Sequence, residues 1–195
     1  MGADTMTTME AILGRRSVRI FHPDKISPAK VEKLLDAARW APTPAKLQLR
    51  RFAVVDSPEL IQALAGATKE QPFIGFAPLV IVAMANIKEA TAMIGEVGQC
   101  LATQEVAAGV QNMLLAAFEM GLGSCWVGQI DARKVAEIVN APSELTPVAL
   151  VAIGRAAEEP TSARLPVDQI SWRVKPKRAP QLLQRAGVFF KAGDV

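Results

Sequence analysis

VAAGVQNMLLAAFEMGLGSCWVG, residues 106–128, decides the architecture. From Val106 to Met120 the chain is apolar on nearly every side, with polar residues only at Gln111, Asn112 and Glu119. Such a stretch predicts a helix covered over most of its surface, in a core or against a second subunit. The more polar positions Gln99, Thr103, Gln104 and Glu105 carry it back to about residue 97. Gly121 and Gly123 are expected to stop it, glycine being the residue that tolerates the left-handed cap conformation. Residues 124–128 then predict a strand. Two continuous apolar runs, APLVIVAMA at 77–85 and PVALVAIG at 147–154, predict strands covered on both faces. A short strand is expected at 51–55.

Helix starts are marked by capping residues. Ser27-Pro28 and Ser57-Pro58 place a capping side chain before a proline at the first helical position. The first of these helices should end near Trp40, ahead of Pro42 and Pro44. Thr7 or Thr8 caps a short helix through Leu13, and Asp131 caps another to about Asn140. The sum is an α+β or three-layer α/β domain with four short strands and about five helices.

The chain has 195 residues, enough for one compact domain with its own core. The expected division is a domain over 1–172 and a basic tail over 173–195. Half the residues are hydrophobic and 21% are charged, which excludes intrinsic disorder. Cys100 and Cys125 make no disulfide framework, apolar runs fall short of the roughly 20 residues that span a bilayer, and no signal pattern opens the chain. The expected location is the cytoplasm. Net charge is +3, but six of the 22 basic residues and one of the 19 acids lie from Arg173 onward, leaving the body at −2. A basic tail on a slightly acidic body fits nucleic acid or an acidic patch on a partner subunit. With no RNA-binding signature or basic stripe through the body, nucleic acid is not the expected partner.

The chemistry-bearing residues are anion binders. One histidine, His22, sits in the turn Phe21-His22-Pro23-Asp24, and there is no HExxH, CxxC or carboxylate cluster, so metal and acid–base chemistry are not expected. Gly121-Leu122-Gly123-Ser124-Cys125-Trp126 lacks the third glycine of a dinucleotide loop. Gly14-Arg15-Arg16-Ser17-Val18-Arg19 is different. It sets three guanidiniums and a hydroxyl within five residues, and the planar fork of arginine matches phosphate oxygens. A solvated basic turn is the plainer alternative. A second basic run, Arg39, Lys46, Arg50 and Arg51, surrounds Ala41-Pro42-Thr43-Pro44-Ala45-Lys46-Leu47-Gln48, with no acid between Asp36 and Asp56. This proline-stiffened loop carries a hydroxyl, an ammonium and an amide, able to ring a planar heterocycle with donors and acceptors.

RRSVRIF, then APTPAKLQLRRF, then AAGVQNMLLAAFEMGLGSCWVG and the strand ending at Ile153-Gly154 together resemble the FMN-dependent nitroreductase family, over residues from about 9 to 172. The resemblance implies a mostly antiparallel sheet flanked by helices, in an intertwined homodimer with FMN at the subunit interface. Arg15, Arg16, Ser17 and Arg19 would hold the phosphate, the ribityl chain and the pyrimidine edge. Pro42, Thr43, Pro44, Lys46 and Gln48 would arrive from the other subunit. Trp126, Val127 and Gly128 would run past the flavin with a donor near N5, and Arg164 would close on the phosphate. The implied activity is NAD(P)H-dependent two-electron reduction of nitroaromatics, quinones or related conjugated acceptors by a ping-pong cycle. No side chain is expected to act as a catalytic acid, base or nucleophile, because a flavin carries the redox chemistry itself.

The chain departs from the family at several of these places. Where APSxxNxQPW is common it has Thr43, Lys46, Leu49 and Arg50, and Ser162 stands two residues before Arg164 where a basic residue is frequent. Thr43 keeps the hydroxyl. Lys46 brings a charge expected at the pyrimidine edge, where it would raise the flavin potential. Arg50 is expected near the pocket mouth, attracting anionic acceptors; the plainer alternative is that both side chains point to solvent and only keep the loop soluble. The alternatives to a reductase are an enzyme of the same fold that dehalogenates or destroys flavin, and a non-enzymatic binder of FMN or nucleic acid that uses the basic tail.

Overall fold

β2 (Leu79–Ala85) is buried along its whole length and sets the layering. In the computed structural model, which describes residues 6–174, its alternate side chains enter opposite cores. Leu79, Ile81, Ala83 and Ala85 pack with α2 (Pro28–Arg39), α4 (Ile87–Ile94) and α5 (Gly98–Glu119). Val80, Val82 and Met84 pack with α3 (Pro58–Ala65) and α6 (Ala132–Ile138). A strand between two helical layers has no wet face, which is why its sequence is an unbroken apolar run. Its neighbours are β1 (Arg50–Val55) and β4 (Thr146–Gly154), and β3 (Gly123–Val127) closes the far side of β4. All three pairings are antiparallel, so the domain is α+β with helices on both faces, as expected.

Several elements differ from expectation for identifiable reasons. Gly121 does stop α5, at φ +72°, but Gly123 begins β3 instead of capping. A Cβ at Gly123 would stand 2.9 Å from Val18 Cβ, so the glycine is there for close packing. α4 was not foreseen; Asn86 caps it by accepting from the Glu89 amide at 3.0 Å. The described residues hold seven α-helices, not five, with three short 3-10 turns. α1 (Thr8–Gly14) opens on a reciprocal pair: Thr7 Oγ1 accepts from the Glu10 amide, and Glu10 Oε2 accepts from the Thr7 amide at 2.7 Å.

α5 is buried on one face, through Ala102, Val106, Gly109, Val110, Met113, Leu114 and Ala117, while Ala107, Ala108, Leu115 and Ala116 are half-exposed. Two compact units are present, one through Thr161 and one from Ser162, the second containing α7 (Val167–Ile170). The expected basic tail lies, beyond residue 174, outside the described residues. Among the described residues no helix is long and apolar enough to cross a membrane.

Candidate functional site

The end of α1 delivers the arginine cluster to the start of β3. Gly14 lies against the Phe118 ring of α5, where a Cβ would meet Phe118 Cζ at 2.6 Å. Arg15 then caps the helix, and the chain runs extended beside Ser124, the Val18 amide donating to the Ser124 carbonyl at 3.0 Å. A second contact fixes the other edge. Glu158 Oε1 accepts from the Arg19 and Ile20 amides at 2.5 and 3.1 Å, and the Ala157 amide donates to the Ile20 carbonyl.

Alternation along this extended stretch splits the cluster. Arg15, Arg16, Val18, Phe118, Gly123 and Ser124 are among the residues around a cavity of about 410 Å³. Arg16 is half-buried there, its Nη1 donating to the Leu13 and Arg15 carbonyls at 2.7 and 2.9 Å. Ser17 and Arg19 lie toward Cys125 instead. The Ser17 hydroxyl lies near enough to Cys125 to favour its thiolate, and Arg19 stacks over Phe73 at 5.8 Å. Arg15 acts electrostatically on Cys125 as well as lining the cavity, so it links the two sides.

Cys125 is 2% exposed, and burial pushes its thiol above the ordinary range, against the pull of Arg19, Ser17 and Arg15; Glu158 adds to the rise. A thiol held protonated is a poor nucleophile. A raised folded-state value means that this group favours the fold at neutral pH, an advantage lost as the pH climbs through the raised value. Iodoacetamide at pH 7 should therefore label exposed Cys100 well before Cys125, and Cys125→Ser should keep most NAD(P)H oxidation. Equal labelling of the two, or loss of turnover with flavin still bound, would give the thiol a chemical role.

The other expected contributors fall elsewhere. Trp126 and Val127 are in β3, and Gly128 is exposed just past it. Four residues of extended chain, about 13 Å, separate Ser124 from Gly128. The 42–48 loop is anchored at a different place. Thr43 Oγ1 donates to Glu105 Oε2 at 2.9 Å and accepts from the Gln48 amide at 2.7 Å. Glu105 and Phe118 are thirteen residues apart on α5, about 20 Å along its axis. Pro42, Lys46 and Gln48 are exposed, Thr43 and Pro44 half-buried, and none borders the cavity at Arg15 and Arg16. Arg164 belongs to the second unit, where its Nη1 bonds Ser162 Oγ and the Ala163 carbonyl.

Arg50 borders a cavity of about 490 Å³ with Arg39, Gln48 and Arg51, but its guanidinium is engaged by the protein itself and is not free to attract an acceptor. It is 7% exposed, its Nη1 pairs with Glu105 Oε1 at 2.8 Å, and its Nη2 donates to the Arg39 and Ala41 carbonyls. The acid missing from the basic run comes from α5, where Glu105 is also buried. Arg50 opens a strand packed beneath that helix, so its charge turns inward. Gly109, one turn past Glu105, makes room: a Cβ there would lie 3.2 Å from Arg50 Cδ.

A family model for the nitroreductase family matches residues 12–75 and 62–155. The chain belongs to the nitroreductase family. It is 30% identical over 186 residues to protein DrgA of Synechocystis sp., covering 82% of this chain and 89% of that one. It is 31% identical over 193 residues to an NADH dehydrogenase of Thermus thermophilus, covering 84% and 94%. An FMN-dependent nitroreductase structure from Clostridium difficile shares the fold at TM-score 0.74, with 23% identity over 86% of this chain and 99% of that one.

The residues of this nitroreductase-family chain suit an FMN phosphate end. Two guanidiniums border one cavity, with Glu158 and Glu159 also at its edge, and beside the arginines the Ser124 hydroxyl is buried with no hydrogen-bond partner. A buried hydroxyl without a partner costs about 1–3 kcal/mol, which a phosphate or ribityl oxygen in the cavity would offset. Ser124 was not among the expected ligands; a lone serine between Gly123 and Cys125 gives no sequence signal. Among the described residues no cluster of His, Cys, Asp and Glu could hold a metal.

Proposed function

We propose that the protein is an FMN-dependent NAD(P)H oxidoreductase acting as a homodimer in the cytoplasm on nitroaromatic, quinone or similar conjugated acceptors. Arg15, Arg16 and Ser124 hold the phosphate end, and Ser17 and Arg19 support it from the neighbouring face. Trp126, Val127 and Gly128 lead along β3 toward the ring. FMN supplies the chemistry when bound, taking two electrons from NAD(P)H and passing them to the acceptor in alternate half-reactions. The chain's own part is to bind, orient and exclude water; Arg15 and Arg16 supply the anion donors, while Glu158, at the same cavity, is engaged by the Arg19 and Ile20 amides.

The observation that carries the dimer is the separation within one chain. The arginine cluster and the 42–48 loop are anchored about 20 Å apart along α5, so a two-fold partner is the simplest way to bring such a loop to the cluster. Exposed Met9, Ile12, Leu13 and Trp40 supply apolar surface for that partner. Lys46, exposed on the loop, would then face the pyrimidine edge and raise the flavin potential, and Arg164 would close on the phosphate. Sedimentation should give about twice 20.9 kDa, with flavin absorbance moving in the same boundary. A monomer carrying stoichiometric FMN would contradict the shared site.

A further inference from the structure

Glu105 places a buried carboxylate on the otherwise apolar core face of α5, and its hydrogen bonds go to the 42–50 segment. Its side chain has no exposed surface. Oε1 accepts from the Arg50 amide at 3.2 Å and Arg50 Nη1 at 2.8 Å, and Oε2 accepts from Thr43 Oγ1 at 2.9 Å. Arg50 in turn holds the Arg39, Ala41 and Pro42 carbonyls. Beyond this clamp Ala45, Lys46 and Gln48 all have positive φ, at 47°, 61° and 53°. Left-handed backbone at non-glycine residues persists only where the surroundings over-determine it.

We infer that Glu105 is a positioning residue that, with Arg50, fixes the polarity of Thr43 at the base of this loop. The chemistry leaves one arrangement. A carboxylate paired with a guanidinium has no proton to give, so the Thr43 hydrogen points at Glu105. One lone pair of Thr43 takes the Gln48 amide at 2.7 Å. Only the other lone pair remains, and it meets ligand donors but not acceptors. The imide N–H of a flavin pyrimidine edge is such a donor. This step rests on the proposal that the loop faces FMN.

Glu105→Gln tests the polarity with little change of shape. Arg50 has only donors, so it takes the amide oxygen. The amide nitrogen then donates to Thr43, and the hydroxyl proton turns toward the ligand. The variant should melt at a lower temperature, because Arg50 loses its buried counter-charge, and at a temperature where it is folded it should bind FMN about tenfold more weakly by fluorescence titration. Thr43→Val should weaken FMN comparably. In FMN-stripped protein it should also release the Gln48 amide to faster hydrogen exchange, while Glu105→Gln leaves that amide protected. Wild-type FMN affinity in Glu105→Gln would overturn the polarity argument. Unchanged Gln48 exchange in Thr43→Val would overturn the clamp, with or without flavin. If the wild-type chain itself binds no FMN, the functional proposal fails, and the exchange result still decides the clamp.

Discussion

Arg50→Ala should cost about 3–5 kcal/mol of folding stability. Arg50 and Glu105 have side chains only 5% and 0% exposed, so solvent screens their pairing little. Removing the guanidinium leaves the Glu105 carboxylate buried without its counter-charge and takes donors from the Arg39, Ala41 and Pro42 carbonyls. The pair itself is no large net gain, because burying two charges has its own cost. A double substitution Arg50→Leu with Glu105→Leu should therefore recover most of the loss. Urea denaturation of the three proteins decides this. A loss below about 1 kcal/mol for the single variant would mean that water reaches the pair.

The double variant Arg15→Ala with Arg16→Ala should fold normally and purify almost colourless. Each charge-assisted bond to a phosphate contributes about 2 kcal/mol, so losing both weakens FMN by roughly a hundred- to a thousandfold. Neither arginine is part of the core: both are half-buried, and Arg16 bonds only to carbonyls at the end of α1. Stability should move by less than about 1 kcal/mol, as for most surface positions. Equilibrium titration with FMN, read by quenching of flavin fluorescence, separates the two quantities. Wild-type affinity in the double variant would remove the cavity at Arg15 and Arg16 from the cofactor site.

The sheet was legible because its central strands are buried on both faces, and 79–85 and 146–154 have no other reading than interior strands. The α5 boundaries followed from one long apolar stretch and Gly121. Less was legible where a short element depends on its neighbours. α4 is only eight residues long, and its signal, Asn86 followed by Glu89, is an ordinary cap in an ordinary stretch.

The arginine cluster was visible as charge density, but its division between two faces was not. That division follows from Val18 packing on Gly123, a contact remote in sequence. Arg50 shows the same limit. Its partner Glu105 lies 55 residues away, and a run of basic residues looks solvated until a helix supplies the carboxylate. The available hint was Glu105 itself, on the same helical face as Ala102 and Gly109.

The central claim is that this chain holds FMN and passes electrons from a nicotinamide nucleotide through it. Anaerobic titration of the purified protein with NADH and with NADPH tests that directly. The protein should show the oxidised-flavin band at about 450 nm, bleach with about one equivalent of nucleotide per FMN, and recover its colour when a quinone is added. A protein that stays colourless after incubation with FMN, or whose bound flavin is reduced by neither nucleotide, would contradict the account.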